Sequence, residues 1–154
     1  MDDNRSDSYP LHPAFDPDFA AWLTSLEELT SSTFTIRQAR AGSKDARWMR
    51  YLQGACEPIT VQSVSINDRT IAERRVLFAM IGGTPVGFCV SITGTTELEP
   101  VFIQAVGVVA PARARGIGSA LMSAVAEQTQ RRTIAFATRD DNLAARRMNE
   151  SFAA

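Results

Sequence analysis

The sequence predicts an α/β domain in which strands and helices alternate. Residues 76–81, 86–93 and 101–109 are mainly apolar runs of strand length, which is typical of strands buried in a sheet. Residues 18–31 and 117–129 instead place apolar side chains every three or four positions, as amphipathic helices do. A chain of 154 residues with 45% hydrophobic residues has the size and composition of one domain with one core.

The N-terminal segment is predicted to differ from the rest of the chain. Residues 1–17 are rich in Asp, Pro and Ser, which predicts a flexible tail. Residues 18–31 predict a short helix that begins at Asp18 as its N-cap. Because its apolar face carries large side chains, we expect this helix to dock on the core or on another subunit.

The remaining elements follow from the same patterns. Ser43 is an expected N-cap, Gly82-Gly83 is an expected hairpin turn, and Asp141 is expected to cap the last helix. The predicted elements are a strand at 34–39, a helix from 44 to about 56, a helix near 68–73, strands at 76–81, 86–93 and 101–109, a helix at 117–129, a strand at 132–137 and a helix at 142–152.

The composition argues against several classes of protein. The only histidine, His12, lies in the expected tail, which argues against His-based triads and multi-His metal sites, so no metal is expected. Cys56 and Cys89 have no zinc-site spacing and indicate free thiols of a cytoplasmic protein. No apolar run has the length of a membrane span, and the N-terminus does not resemble a secretory signal.

Charge is unevenly distributed along the chain. Residues 1–33 carry seven acidic groups and one basic group, whereas residues 34–154 carry 15 basic and 10 acidic groups. A core with a net charge of +5 suits an anionic cofactor but is too weakly basic to indicate a nucleic-acid partner. Arginine supplies 15 of the 16 basic residues, which favours a GC-rich bacterial coding sequence.

The segment that indicates chemistry is Arg113-Ala-Arg115-Gly116-Ile-Gly118, between a predicted strand and a predicted helix. The glycines allow a tight turn and a close approach of the backbone to a ligand. The N–H groups at a helix N-terminus favour an anion, and two arginines add positive charge. The segment therefore predicts a phosphate or pyrophosphate site. The alternative is a strand-to-helix turn whose arginines lie in solvent.

The loop does not match the common nucleotide-binding patterns. A Walker loop requires Gly-Lys-Ser/Thr, which the chain lacks, and a dinucleotide fingerprint requires a third glycine where Leu121 stands. The loop also lies late in the chain, whereas a dinucleotide fingerprint opens the first strand-helix unit. A nucleotide-phosphate enzyme is therefore the least favoured of the functions considered.

The pattern Arg113-x-x-Gly116-x-Gly118 resembles the acyl-CoA signature of the GNAT acyltransferase superfamily. The apolar strand before it, the helix and strand after it, and the segment Asn142-Leu-Ala-Ala are also similar to the family. The resemblance covers roughly residues 34–152. It implies a GNAT-like central mixed β-sheet flanked by helices. Because the chain ends soon after the last predicted helix, we expect the family's C-terminal strands to be missing.

The resemblance also implies roles for residues. The Val108 amide would polarise the thioester carbonyl, and the amine would attack directly, without a covalent enzyme intermediate. The implied cofactor contacts are Val106, Gly107 and Val108 along the pantetheine arm, Asn142 near the pantetheine, and Arg113, Ala114, Arg115, Gly116, Ile117, Gly118 and Ser119 at the pyrophosphate.

The chain departs from the family pattern at the expected proton-transfer residues. Asn149 stands where a tyrosine often protonates the leaving thiolate, and Phe102 stands where a glutamate often acts as general base. Glu97 and Glu99, at the entrance of the same strand, are candidates for a base that acts through water, and Glu99 is the candidate carried forward. Pro111 also lies one residue closer to the loop than the family pattern has it.

The sequence therefore predicts an N-acyltransferase that uses acetyl-CoA or another acyl-CoA on a primary amine of a small molecule or peptide. The alternative is a degenerate GNAT domain that binds CoA or a protein partner without turnover. We expect an acidic tail with a short helix at 1–33 and a GNAT-like domain at 34–154. A homodimer is expected because the apolar helix at 18–31 and the strand at 132–137 both need a covering surface.

Overall fold

The structure is a computed structural model that describes residues 13, 16–29, 33–56, 59–93, 99–130 and 133–136. The predicted helix at 142–152, most of the predicted tail and the expected absence of C-terminal strands lie outside these residues. The helices in the described ranges are α1 (Pro17–Glu27), α2 (Asp45–Ala55), α3 (Val64–Glu73) and α4 (Ile117–Thr129); the strands are β1 (Thr35–Gln38), β2 (Arg75–Ile81), β3 (Thr84–Thr93), β4 (Val101–Val108) and β5 (Ile134–Phe136).

The described strands form a single sheet in the order β1-β2-β3-β4-β5. The first four strands pair antiparallel with their neighbours, whereas β5 pairs parallel with β4. The predicted mixed sheet is therefore confirmed. Helices cover both faces of β2 and β3. Most residues of these two strands are therefore buried, and this burial explains their apolar sequences.

An irregularity in β4 divides the strand into two halves. Val90 of β3 pairs with Ala105, but the next residue, Ser91, pairs with Ile103. Gln104 is therefore an extra residue of β4, a β-bulge of the kind that re-aims a strand. Within the described residues, β5 pairs with β4 only before the bulge, at 101–103. The half of β4 that leads to the predicted cofactor loop thus has a different direction from the half that pairs with β5.

Two glycines show that α2 and α4 lie on opposite faces of the sheet. A Cβ atom on Gly107 would lie 2.8 Å from Cδ1 of Ile59 and 3.0 Å from Cβ of Cys56, just after α2. A Cβ on Gly87 would instead lie 3.4 Å from Cγ2 of Ile117, at the start of α4. Gly87 pairs with Val108, the neighbour of Gly107, and neighbouring residues of a strand face opposite sides.

The N-cap of helix α1 is Asp16, two residues before the predicted N-cap Asp18. Pro17 opens the helix, where a missing N–H is harmless, and the Asp16 carboxylate accepts a hydrogen bond from the Asp18 amide at 3.0 Å. The apolar face of α1 packs on its own core, where Phe19 and Trp22 are buried. The apolar face of this helix is therefore covered within its own chain.

Helix α3 begins at Val64, four residues before the predicted start at 68. Ser63 is its N-cap, and its Oγ accepts a hydrogen bond from the Ile66 amide at 3.2 Å. Asn67 is buried in this helix, and a polar residue at a buried position interrupts the apolar spacing from which a helix is predicted. Its side-chain amide exchanges two hydrogen bonds of 3.0 Å with that of Gln53 on α2, so both polar groups are satisfied in the core.

The start of α2 also differs slightly from the prediction. The Ser43 hydroxyl accepts a hydrogen bond from the Asp45 amide at 3.2 Å, but Lys44 is the residue at the cap position. Among the described helices, none has the length and apolar character that crossing a membrane requires.

Candidate active site

The C-terminal half of β4 directs backbone groups toward the side away from β3. The Val109 amide donates to the Val86 carbonyl at 2.9 Å, so the backbone of Val109 faces β3. Backbone groups alternate in direction along a strand, so the amides of Val106 and Val108 face the opposite side. The Val108 carbonyl also faces away from β3, because it accepts a hydrogen bond from Nε of Arg113 at 3.0 Å.

The faces of this half of β4 are closed by packing. Val106, Gly107 and Val108 are all buried. Cys56 and Ile59 occupy the space beside Gly107 on one face, and Ile117 lies near the other face. A ligand that reaches these residues must therefore approach along the strand edge rather than from above or below the sheet.

A 3-10 turn connects β4 to the predicted cofactor loop. The turn spans Ala110–Ala112 and accommodates Pro111, whose spacing differs from the family pattern. Ala114 and Gly116 follow with φ angles of +66° and +76°. Positive φ is natural for Gly116 but strained for Ala114, so the chain holds this loop in a defined conformation. Alternation of left-handed and ordinary backbone angles turns successive N–H groups into an anion-binding concavity.

The loop ends at the N-terminus of α4, where backbone amides are available. The Ala120 amide donates to the Gly116 carbonyl at 3.0 Å, as the first hydrogen bond of the helix. The amides of Ile117, Gly118 and Ser119 precede that bond and have no acceptor within the helix. Gly116, at the cap position, provides no side-chain cap. Three N–H groups and the positive end of the helix dipole are thus suited to an anion.

Arg113 has a structural role that the sequence did not indicate. The prediction was that its side chain adds positive charge to the loop. Its Nε instead ties the loop to the end of β4 through the Val108 carbonyl, while the guanidinium remains exposed. Arg115 is half-buried within the loop.

Both cysteines are free and buried, which agrees with the expectation of free thiols. Burial raises the pKa of Cys56 to about 12, although the nearby Arg113 charge acts in the opposite direction. Burial also raises the pKa of Cys89 to about 12. Both thiols are therefore protonated near neutral pH and behave as core side chains.

The two predicted catalytic groups lie at opposite ends of β4. Glu99 is exposed and precedes the strand, whereas Val108 ends it. At about 3.3 Å per residue, the seven steps from Val101 to Val108 alone span about 23 Å. The structure therefore does not bring Glu99 to the Val108 amide. Phe102 lies between them with 43% of its surface exposed, and Glu97, Asn142 and Asn149 lie outside the described residues.

A cavity of about 320 Å³ opens at the Glu99 end of the sheet, away from the Arg113–Gly118 loop. It is lined by Gln38, Glu73, Arg74, Arg75, Ser91, Ile92 and Thr93. In the described parts of the chain, no three His, Cys, Asp or Glu residues lie together in a way that could hold a metal ion.

The sequence pattern of the Acetyltransferase (GNAT) family matches residues 23–153. The chain belongs to the GNAT acetyltransferase family. This match includes the strand, loop and helix described above. No curated protein sequence is significantly similar to the chain.

Solved structures with the same fold are also GNAT N-acetyltransferases. Ribosomal-protein-alanine N-acetyltransferase from Brucella melitensis biovar Abortus 2308 is 18% identical with a TM-score of 0.66, over 79% of this chain and 92% of that one. Aminoglycoside N-acetyltransferase AAC(6')-Iy in complex with CoA is 19% identical with a TM-score of 0.65, over 80% and 88%. The ribosomal-protein-S18-alanine N-acetyltransferase from Escherichia coli is 16% identical with a TM-score of 0.64, over 77% and 76%. These similarities establish the fold.

Within the GNAT fold, the predicted residues at the end of β4 and in the loop are contiguous. Val106, Gly107, Val108 and the residues from Arg113 to Ser119 form a strand edge that leads into a helix N-terminus. Sequence reasoning missed the close packing at Gly87 and Gly107. A glycine inside an otherwise apolar strand is a signal of close approach that could have revealed both positions.

Proposed function

We propose that the chain is an N-acyltransferase that transfers an acetyl or similar acyl group from acyl-CoA to a primary amine. The observation that carries this proposal is the continuous path from the amides of Val106 and Val108, through the left-handed turn at Gly116, to the free amides at the start of α4. The path combines an extended strand edge with a group of amides suited to an anion. A ligand that has both an extended arm and a pyrophosphate requires these two features side by side.

The loop residues fit the pyrophosphate of CoA. The Arg113 amide already donates to the Ala110 carbonyl at 3.2 Å, so the amides from Ala114 to Ser119 would hold the oxygens of the pyrophosphate. The charges of Arg113 and Arg115 would balance part of its negative charge. Gly116 has no Cβ to obstruct the approach of the ligand to the backbone. The Arg113–Val108 hydrogen bond would keep this site at a fixed distance from the strand edge.

The strand edge fits the remaining part of the ligand. The pantetheine arm, which is extended and carries amides, would pair with the edge at Val106–Val108 as a neighbouring strand does. The Val108 amide would stabilise negative charge on the thioester oxygen when the amine attacks. Asn142 is proposed as a further contact near the pantetheine. The amine attacks the carbonyl carbon directly, and the CoA thiolate leaves.

The acceptor is proposed to be the primary amine of a small molecule or peptide. The named neighbours include ribosomal-protein-alanine and aminoglycoside N-acetyltransferases, which supports both classes of amine. Because Glu99 lies far from Val108, we propose that the acceptor reaches the thioester already deprotonated or loses its proton through water. Glu99 would act as the base only if the reacting carbon lay near the start of β4.

A degenerate GNAT domain that holds CoA without turnover is the second candidate. The observation in its favour is the exposed Phe102 at the position where the family often has a glutamate. Release of CoA thiol with a panel of primary amines, measured on protein that binds acetyl-CoA, separates the two candidates. Turnover above the hydrolysis rate supports the enzyme, and tight binding without turnover on any amine supports the alternative.

Ligand-induced stabilisation tests the cofactor assignment. At a concentration 100 times its Kd, acetyl-CoA should stabilise the protein by about 2.7 kcal/mol. Acetyl-pantetheine, which lacks the pyrophosphate, should stabilise it much less at the same concentration. Equal shifts with both ligands would contradict the pyrophosphate site, and a larger shift with ATP would favour a nucleotide-phosphate enzyme.

A further inference from the structure

Helix α1 packs beside the entrance to the predicted cofactor loop. It contacts the first part of β3 and the 3-10 turn Ala110–Ala112, which leads into Arg113–Gly118. Asp16, Phe19 and Trp22 lie before residue 23, where the family match begins. The first half of α1 therefore lies outside the segment that the family pattern matches.

Trp22 provides the first attachment of α1 to this region. Its Nε1 donates a hydrogen bond of 3.2 Å to the Pro85 carbonyl across a buried contact. The adjacent residue, Val86, accepts the hydrogen bond from Val109 that holds the end of β4 in place. Ala112, the last residue of the turn, is completely buried in the same apolar cluster as Trp22. The side chain of Trp22 is thus bonded to Pro85, the residue next to Val86, and Val86 holds the end of β4 just before the loop.

Tyr51 of α2 provides the second attachment. Its hydroxyl donates a hydrogen bond of 2.6 Å to Oδ2 of Asp16, while Oδ1 of the same carboxylate caps α1 through Asp18. The Tyr51 ring also lies 5.4 Å from that of Phe19 and 5.8 Å from that of Trp22, between centroids. Burial and the Asp16 hydrogen bond raise the pKa of Tyr51, so its hydroxyl remains a donor. These contacts fix both the start and the middle of α1.

The hydrogen bond from Arg113 to the Val108 carbonyl holds the start of the loop, whereas two later residues favour other conformations or provide no side chain. Ala114 has a left-handed φ of +66° that its side chain disfavours, and Gly116 has no side chain with which to cap α4. A site made of backbone amides binds an anion well only when the amides are already in position. Contacts from outside the loop would hold these amides in position before the ligand binds.

We propose that α1 is a brace for the pyrophosphate loop, and that Trp22 and Tyr51 are positioning residues for CoA binding. The proposal rests on the proposed function, since the loop is taken as the pyrophosphate site. The brace acts on the turn Ala110–Ala112, which α1 contacts and which leads into the loop. Loss of an anchor loosens the loop, so it weakens the binding of the pyrophosphate and leaves the pantetheine contacts unchanged.

Two conservative variants of the full chain test the brace. Trp22→Phe keeps a ring but removes the donor to Pro85, and Tyr51→Phe removes only the hydroxyl that bonds Asp16. Each should raise the Kd of CoA about fivefold, because ligand binding must then also order the loosened loop. The affinity for acetyl-pantetheine should remain within a factor of two. Amide hydrogen exchange at residues 112–118 of the ligand-free protein should become faster.

Ile36→Ala is the matched control, because Ile36 is half-buried in β1, three strands from β4. It should lower the melting temperature without changing CoA affinity or loop exchange. Equal weakening of CoA and acetyl-pantetheine, or unchanged loop exchange in both ring variants, overturns the brace. If the unaltered protein does not bind CoA, the proposed function fails, and the exchange comparison still decides whether α1 holds the loop.

Discussion

Gly116→Ala is the sharpest test of the loop conformation. Gly116 has φ +76° and ψ 14°, and a Cβ atom there would have no heavy atom within 4 Å. The substitution therefore creates no clash, and its effect comes from the backbone alone. A left-handed alanine costs about 1–2 kcal/mol, of which the reduced entropy of the unfolded chain offsets part. We expect a net loss of about 1 kcal/mol, which lowers the melting temperature by about 3 °C.

The same strain should weaken the cofactor site. An alanine at 116 relaxes toward negative φ, which turns the first amides of α4 away from the bound anion. We expect the Kd of CoA to rise about tenfold, which corresponds to about 1.4 kcal/mol. Isothermal titration calorimetry measures the affinity, and differential scanning calorimetry measures the melting temperature. Ala114→Gly, which relieves the strained φ of +66°, should leave CoA affinity intact or improve it.

Gly42→Ala provides the matched control. Gly42 has φ +73°, also with no heavy atom within 4 Å of a built Cβ, and it lies just before α2 rather than in the loop. Both glycine variants should lose similar stability, but only Gly116→Ala should lose CoA affinity. Unchanged CoA binding in Gly116→Ala would refute the assignment of the loop. Unchanged stability in Gly116→Ala, together with a loss in Gly42→Ala, would refute its left-handed conformation.

Three further predictions address charge in and around the site. Gly118→Asp should abolish stabilisation by acetyl-CoA in a thermal-shift assay, because a carboxylate would face the pyrophosphate. Ser123→Asp places the same charge farther along α4 and should retain the stabilisation. Glu99→Gln should lower turnover less than threefold; a loss of roughly 10²-fold or more would instead place the reacting carbon near the start of β4. The Arg37 guanidinium holds the pKa of the Asp45 carboxyl below its usual value, so this pair stabilises the fold above about pH 4 and the contribution is lost as pH falls through the lowered pKa. Asp45→Asn should therefore flatten the acid limb of a melting-temperature profile, and an unchanged limb would show that the pair contributes nothing.

Local patterns were enough to predict most elements of this fold. The buried strands appear in the sequence as apolar runs, and the proposed cofactor loop appears as two glycines near an arginine, before an amphipathic helix. Each of these signals depends only on residues a few positions apart, so it can be recognised in the sequence without knowledge of the fold. Helix α3 was placed less well because its buried Asn67 is satisfied by Gln53, fourteen residues away, and no local pattern reveals such a partner.

The amino-acid sequence was enough to predict an α/β domain of the GNAT type and to propose an anion site at 113–118. How the parts of that proposed site are arranged became visible only in the folded chain. The bulge at Gln104 and the packing of α1 beside the loop both depend on contacts across strands or between distant segments. These relations are non-local, because folding brings together side chains whose spacing along the chain has no regular period.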